Sequence, residues 1–247
     1  MILRRIVIKR AQFDSIPQEE RAFFVQAGVV FTELMILNNA LHAASSQEAD
    51  SELLRKARTA QCLFFARILT GKLAECWELF QQKFFGGQLS RKYVPILNPQ
   101  GIEALDRIRK YFGKLNLIQS IRNNYAFHYS QSSEQIDQHL HLVPETAALE
   151  LYLSPEGEGA NCLFDFSCLL STFALLNEID GSDHQKAMNK WLSEVFDVAI
   201  WFRDACDEIM FAIATKYLGE KLDAEAVEIP DPPKLRDVTL PYFVGLS

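Results

Sequence analysis

The sequence predicts a mainly α-helical protein, a multi-helix up-down bundle with a small β-hairpin insert and an extended, proline-rich C-terminal tail. Long segments carry apolar residues at helical spacing, and a turn-rich stretch, Ser154–Gly159, separates two short apolar runs. Four of the nine prolines lie beyond Lys221, where they disfavour a regular helix. The 247 residues are 49% hydrophobic and 23% charged, a composition typical of a globular protein with a sizeable core. We therefore expect one helical domain over residues 1–247.

The first part of the chain contains two long predicted helices. Residues 1–10 are expected to form a short strand or an ordered arm. Ser15, followed by glutamine three residues later, has the pattern of a capping box and predicts a helix over residues 16–42. A second helix is predicted over residues 51–85, because apolar residues recur on one face until a Gly-Gly pair ends the pattern. Residues 88–99, with two prolines, are expected to form a connection.

The middle of the chain is predicted to hold two shorter helices. Asn98-Pro99 has the composition of a helix start and predicts a helix over residues 100–112, which Gly113 ends. The next helix is expected over residues 116–129. It is amphipathic, and it carries the polar residues on which the functional interpretation depends.

The last part combines a β insert, two helices and the tail. Short apolar runs on both sides of the turn-rich stretch predict a β-hairpin within residues 147–166. Helices are predicted over residues 167–178 and 183–218, and the second keeps a seven-residue apolar repeat typical of long bundle helices. The tail, residues 222–247, is expected to be extended, with its apolar segment Leu240–Val244 docked on the bundle.

Charge is distributed unevenly along the chain. The formal net charge is −7, but the segment Lys83–Arg122 contains eight basic residues and only two acids, a local excess of +6. Such an excess attracts a polyanion. The candidate RNA-binding residues in this segment are Arg107, Arg109, Lys110 and Lys114. The alternative interpretation is an ordinary solvated helix face.

The cysteines and the apolar segments indicate a cytoplasmic protein. There are five cysteines, an odd number, and none has the short spacing of a zinc site, so we expect reduced thiols, no metal and no cofactor. No signal-peptide pattern is visible at the N-terminus. The most apolar window, Ala22–Leu37, contains Gln26 and Glu33 and is shorter than a membrane span, so no membrane association is expected.

The segment Ile118–Ser130 contains the only evident reactive pair, Arg122 and His128. A histidine with a near-neutral pKa takes a proton from a hydroxyl group or gives one to a leaving oxygen. A guanidinium group binds a phosphate through two hydrogen bonds and stabilises the charge that develops on it. Together they suffice for cleavage of RNA without metal, in which the 2′-hydroxyl attacks the neighbouring phosphate.

The spacing of this pair restricts how its two members cooperate. On a continuous α-helix, residues six positions apart are separated by ~120° around the axis and by about 9 Å along it. Arg122 and His128 of one chain then do not lie side by side. Either the helix breaks near Asn123-Asn124, or a second chain completes the site, as in a two-fold dimer.

The arrangement Arg122-Asn123-x4-His128 resembles the signature of the HEPN superfamily (higher eukaryotes and prokaryotes nucleotide-binding). The resemblance implies a helical bundle that acts as a dimeric, metal-independent ribonuclease in toxin–antitoxin, abortive-infection or phage-defence systems, with RNA and an antitoxin protein as partners. It implies catalytic roles for Arg122 and His128. Asn123, Asn124 and Tyr129 are the supporting polar residues, although toxins of this group often have tyrosine two residues after the histidine, where this chain has Ser130.

Two other interpretations remain open from the sequence. The first is a non-catalytic helical module that binds a protein or nucleotide partner, with the Arg–His pair vestigial. In that case His128 is a core histidine beside Leu117, Ile121 and Tyr125, and Arg122 is a surface charge. The second is an enzyme of unrelated chemistry whose pocket the sequence does not reveal.

Overall fold

A computed structural model shows the chain to be mainly α-helical, as predicted. Short antiparallel strand pairs accompany the helices. The structure describes residues 1–45, 51–126, 133–141, 143, 145–146, 148–155, 161–219 and 224–244. All structural statements below concern these residues.

The chain divides into two compact units, and each is assembled from three stretches of sequence. Unit 1 contains Met1–Ile36, Lys72–Asn116 and Phe196–Lys234. Unit 2 contains Leu37–Gly71, Leu117–Val195 and Leu235–Ser247. Three long helices contribute residues to both units. The expectation of a single domain stays a prediction, and the units are described separately.

The helices and strands follow the predicted order, with several additions. The helices are α1 (Arg10–Asp14), α2 (Gln18–Ser45), α3 (Glu52–Leu79), α4 (Leu89–Tyr93), α5 (Pro99–Phe112), α6 (Leu117–Ile121), α7 (Ser133–Leu140), α8 (Asp165–Asp180) and α9 (His184–Leu218). The strands are β1 (Ile2–Ile6), β2 (Tyr152–Leu153), β3 (Cys162–Leu163) and β4 (Ala224–Glu228). Turns of π-helix follow α3 and α6, at Phe80–Phe85 and Arg122–Ala126. Turns of 3-10 helix occur at Val94–Ile96 and Leu235–Asp237.

Two predicted features of the first part of the chain are wrong. Ser15 does not cap the first long helix; it follows the short helix α1, and its hydroxyl donates to the carbonyl of Gln12 at 2.6 Å. Pro17 lies directly before α2, which begins at Gln18. The segment expected to be a plain connection, residues 88–99, contains α4 and a 3-10 turn, because Leu89 and Tyr93 are buried on the same side of a short helix.

The tail contains a strand that the sequence did not indicate. β4 pairs antiparallel with β1, with Ile2 opposite Glu228 and Ile6 opposite Ala224. The first part of the tail is therefore in a sheet with the N-terminus. The apolar end of the tail contacts the hairpin formed by β2 and β3 in unit 2, where the Tyr242 hydroxyl donates to the carbonyl of Cys162 at 3.0 Å.

Aromatic side chains form the core of unit 1. Phe23 and Phe202 pack edge-on against Phe80, with ring centroids 5.5 and 5.2 Å apart. Trp77 stacks on Phe112 at 5.0 Å with the ring planes 7° apart. Each such ring buries a large apolar area, so aromatic residues contribute strongly to the core of unit 1. The π-helical turn after α3 carries Phe80 into this core.

A buried carboxylate links three helices of unit 1. Glu20 of α2 is 4% exposed and accepts hydrogen bonds from Lys92 and Tyr93 of α4 and from Tyr217 of α9. Burial by itself raises the pKa of Glu20, but the three donors and the charge of Lys92 outweigh it, so the pKa lies below its ordinary value. The same contacts raise the pKa of Lys92 above its ordinary value. Glu20 is therefore an ionised, fully hydrogen-bonded core residue.

Helix α2 is more exposed than a core helix. It has 28 residues, an 18-residue window of mean hydropathy 1.4, and only 17% of that window is buried. By length and composition it is long and apolar enough to cross a membrane, the one such helix in the described ranges, and it extends beyond the apolar window Ala22–Leu37 at both ends. Its exposed residues recur at alternating steps of three and four, at Ala22, Val25, Val29, Thr32 and Ile36.

The cap at the start of α5 is as predicted, and we expect its removal to destabilise the protein. The Asn98 side chain accepts from the backbone N–H of Gly101 at 2.8 Å and donates to Glu208 at 2.7 Å. Replacing Asn98 by alanine is expected to lower the free energy of unfolding by about 1 kcal/mol, since a helix-terminal N–H loses its acceptor. Chemical denaturation measures this. Asn98→Ser should retain most of the stability, and equal losses in both variants would contradict the capping role.

Candidate functional site

The helix α6, a short helix of unit 2, lies directly before the predicted motif. Ile118 and Ile121 are 0% and 2% exposed, so one face of α6 is buried. Leu117, at the start of the helix, is half-buried. Because both isoleucines are buried in the core, they fix the backbone position of the next residue, Arg122.

The α-helical geometry ends at the motif. Residues Arg122–Ala126 form a π-helical turn, in which each hydrogen bond spans five residues instead of four. The separation of ~120° expected for the Arg–His pair assumed a continuous α-helix, and residues Arg122–Ala126 depart from that geometry. Such turns inside helices occur frequently at functional sites. His128 and Tyr129 of the prediction lie outside the described residues, as does Ser130.

Arg122 lies at the surface of unit 2 beside exposed amide side chains. Its side chain is half-buried, whereas Asn123 and Asn124 are exposed. One guanidinium nitrogen of Arg122 donates to the side-chain oxygen of Asn123 at 3.3 Å. The predicted supporting role of Asn123 therefore has a direct contact in the structure. A guanidinium and the Asn123 amide on one exposed turn offer hydrogen-bond donors to a phosphate.

Glu178 of α8 holds this turn, and sequence reasoning missed it. Its carboxylate accepts from the Ser120 hydroxyl at 2.5 Å and from the Asn124 amide at 3.2 Å. Burial raises the pKa of Tyr125, and the neighbouring Glu178 carboxylate raises it further. The Tyr125 hydroxyl also lies 3.4 Å from the Ala174 carbonyl. Asn124 thus supports the turn through α8 and is not directed at Arg122.

The predicted RNA-binding residues lie on α5 and in the turn after it, in unit 1. Arg107 pairs with Glu103 at 2.5 Å, and its guanidinium lies 5.9 Å from the Trp201 ring centroid. Lys110 pairs with Asp106 at 2.6 Å. Arg109 lies over the Phe85 ring at 5.2 Å, and Lys114 is exposed. Two of the four cations are thus neutralised within their own helix, which reduces the predicted excess of positive charge.

These four residues belong to unit 1, whereas Arg122 belongs to unit 2. Sequence proximity had placed them in one basic segment that ended at Arg122. The boundary between units 1 and 2 falls inside that segment, between Asn116 and Leu117.

The cysteines are unpaired, and the two buried ones have weakly acidic thiols. All five lie in the described part of the chain and are free. Burial raises the pKa of Cys76 to about 12 and that of Cys206 well above its ordinary value, so neither thiol is a ready nucleophile. Over the described ranges, no three His, Cys, Asp or Glu residues are grouped so as to hold a metal ion.

Comparison with protein-family models, with curated proteins and with solved structures found no match to this chain. The fold and the site define a mainly α-helical protein with a surface π-helical turn centred on an Arg-Asn-Asn sequence. The functional conclusion therefore depends on the residues of this turn and on the motif to which they belong.

Proposed function

We propose that the protein is a metal-independent endoribonuclease of HEPN type, with an up-down helical bundle fold, that acts as a cytoplasmic homodimer. The observation that carries the proposal is the π-helical turn at Arg122–Ala126, which has Arg122 and Asn123 at the surface and is bonded to Glu178 of α8 through Asn124. A defence role with a cognate antitoxin belongs to the proposal through the motif alone.

In the proposed reaction, His128 takes the proton from a 2′-hydroxyl group, whose oxygen attacks the adjacent phosphorus. Arg122 binds the phosphate oxygens and stabilises the additional negative charge of the transition state. The bond from phosphorus to the 5′-oxygen breaks, and that oxygen takes a proton from a second histidine, His128 of the other copy. The products are a 2′,3′-cyclic phosphate and a 5′-hydroxyl, and no metal takes part.

The direct test is incubation of the purified protein with single-stranded and structured RNA in excess chelator. Wild type is expected to cleave, whereas His128→Ala and Arg122→Ala are expected not to. Arg55→Ala is a matched control, because Arg55 is an exposed arginine elsewhere in unit 2. Cleavage that requires a divalent metal, or that persists in both motif variants, would contradict the proposal.

The dimeric site is tested with a mixed dimer. Wild-type and His128→Ala chains are co-expressed with different tags, and the mixed dimer is purified through both. Because the proposed reaction uses His128 of both copies, one as base and one as acid, the mixed dimer is expected to cleave at far less than half of the wild-type rate. A mixed dimer that cleaves at half of the wild-type rate would show that each chain supplies a whole site by itself.

Glu178 is expected to act as a positioning residue for the motif. Replacing it by alanine removes the acceptor of Ser120 and Asn124 and should lower the single-turnover cleavage rate about tenfold, because Arg122 is then less well oriented. Glu178→Gln keeps an acceptor oxygen and should stay close to wild type. Melting temperatures separate this effect from unfolding. A Glu178→Ala variant that folds and cleaves at the wild-type rate would exclude the positioning role.

A second candidate is a non-catalytic helical module that binds a protein partner. It is favoured by the exposed stripe on α2, where Val25, Val29 and Ile36 are 49%, 52% and 61% exposed. Exposed apolar residues at alternating steps of three and four are typical of a helix that packs against another helix. A confirmed dimer that binds RNA or protein but cleaves no RNA under any condition would favour this candidate.

A further inference from the structure

Unit 1 contains an open groove with an apolar floor, whereas the Arg122 motif belongs to unit 2. Its volume is about 570 Å³, within the range of small-molecule sites in proteins. The floor is formed by Phe85, Val94, Pro99, Ile102 and Leu105. Ile102 is 42% exposed, so the floor is accessible from solvent. The groove therefore offers apolar surface to a ligand of modest size.

The charged residues that line this groove differ in whether they form an ion pair. Glu103 and Asp106 line the groove, and each forms an ion pair with the basic residue four positions later on α5, at 2.5 and 2.6 Å. Arg109 also lines the groove, but the residue four positions before it is Leu105, an apolar part of the floor. Within the described ranges Arg109 makes no ion pair, and its guanidinium lies 5.2 Å from the Phe85 ring centroid.

The groove thus combines an apolar floor with one uncompensated positive charge. A guanidinium can donate two parallel hydrogen bonds to one carboxylate, and packing over an aromatic ring is compatible with that pairing. We propose that this groove binds a small amphipathic carboxylate, whose apolar body packs on Phe85 and Ile102 and whose carboxylate pairs with Arg109. This inference is independent of the ribonuclease proposal.

The charges also argue against other ligands. A nucleic-acid strand brings several phosphates, whereas the groove has one unpaired cation and two carboxylates in its lining. A doubly charged phosphate monoester has one charge more than Arg109 neutralises, and the Glu103 and Asp106 carboxylates in the lining repel two charges more strongly than one. A singly charged carboxylate matches the site in both charge and polarity.

The test uses 1-naphthoate as the probe, with 1-naphthalenemethanol as its neutral counterpart and 1-naphthyl phosphate as its dianionic one. Calorimetric titration of the full chain should show that naphthoate binds more tightly than both. Arg109→Gln should weaken naphthoate about tenfold, the effect of losing one charge-assisted pair, and leave the alcohol within about twofold. Ile102→Asn should weaken naphthoate and the alcohol alike.

Arg4→Gln is the matched control, because it removes one positive charge from exposed β1 of the same unit. It should bind naphthoate as wild type does. The proposal is overturned if wild type binds naphthoate no better than the alcohol, if Arg109→Gln binds it unchanged, or if no binding appears up to about 1 mM. Circular dichroism of each variant establishes that the fold is intact.

Discussion

Replacing Arg122 by alanine is expected to lower the rate of RNA cleavage in excess chelator by about 100-fold or more. Removal of one preorganised group that stabilises developing charge costs about this much in enzymes of several classes. Arg122 follows two buried isoleucines and contacts Asn123, so the guanidinium is held before the substrate arrives. Single-turnover rates at saturating enzyme measure the effect on the chemical step.

The Arg122→Lys variant separates the effect of the positive charge from the effect of the two parallel hydrogen bonds that a guanidinium donates. Lysine keeps the positive charge but cannot bind a phosphate through two parallel hydrogen bonds, so we expect a partial loss of rate. The melting temperature should stay near that of wild type for both variants, because the side chain is at the surface. If Arg122→Ala cleaves at more than about a third of the wild-type rate, Arg122 is not part of the catalytic machinery.

Replacing Glu20 by alanine is expected to lower the free energy of unfolding by about 2–4 kcal/mol. The substitution leaves Lys92, Tyr93 and Tyr217 without their shared acceptor in the core of unit 1. The lower part of the range allows for the Lys92 side chain, which is 35% exposed and regains water. Chemical denaturation measures the change, and Glu19→Ala, at an exposed neighbouring glutamate, should change it by less than about 0.5 kcal/mol.

The Glu20 contribution is also expected to depend on pH. Because the folded protein lowers the pKa of Glu20, the unfolded chain takes up the proton first as the pH falls. The carboxylate therefore stabilises the fold above the ordinary pKa of 4.5, and this stabilisation is lost as the pH falls through and below that value. The difference in unfolding free energy between wild type and Glu20→Gln should narrow below about pH 4.5. A difference that stays constant from pH 7 to pH 3 would show that the charge of Glu20 does not contribute to the stability of the fold.

Features that depend on neighbouring residues were predictable from the sequence. Asn98 caps α5 and Gly113 ends it, as predicted. At the start of α9 the Asp183 side chain accepts from the Lys186 backbone N–H at 2.9 Å, close to the predicted start of this helix. The β-hairpin was also predicted, although its strands have only two residues each. Caps and turns depend on side chains a few positions apart, which a sequence displays directly.

Features that depend on distant residues were not predictable. The pairing of β1 with β4 joins residues more than 200 positions apart, and neither strand has a pattern strong enough to identify its partner. The π-helical turns have the same apolar periodicity as the α-helices that they extend, so the sequence predicted helices through both regions, with a break near Asn123-Asn124 as one alternative. Each turn contacts parts of the chain that are distant in sequence: Phe80 and Phe84 are buried in the first, and Asn124 of the second donates to Glu178.

The candidate site was predictable in part. The motif identified Arg122 and Asn123, and the structure places them in contact. Glu178 lies 54 positions from Asn124 and belongs to no recognisable pattern, so only the packing of α8 reveals it. The basic segment does not form one continuous positive surface. Glu103 and Asp106 neutralise two of its cations, and Arg109 lines an apolar groove.

The chemical identity of the cleaved ends tests the central proposal most directly. A defined RNA is incubated with the protein in excess chelator, and the product termini are determined by mass spectrometry. Attack by the 2′-hydroxyl predicts 2′,3′-cyclic phosphate and 5′-hydroxyl ends, and a strand carrying a single 2′-deoxynucleotide at the cleavage position should stay intact. Products with 5′-phosphate ends, cleavage at the 2′-deoxynucleotide, or the absence of cleavage by a folded, dimeric protein would contradict the proposed ribonuclease function.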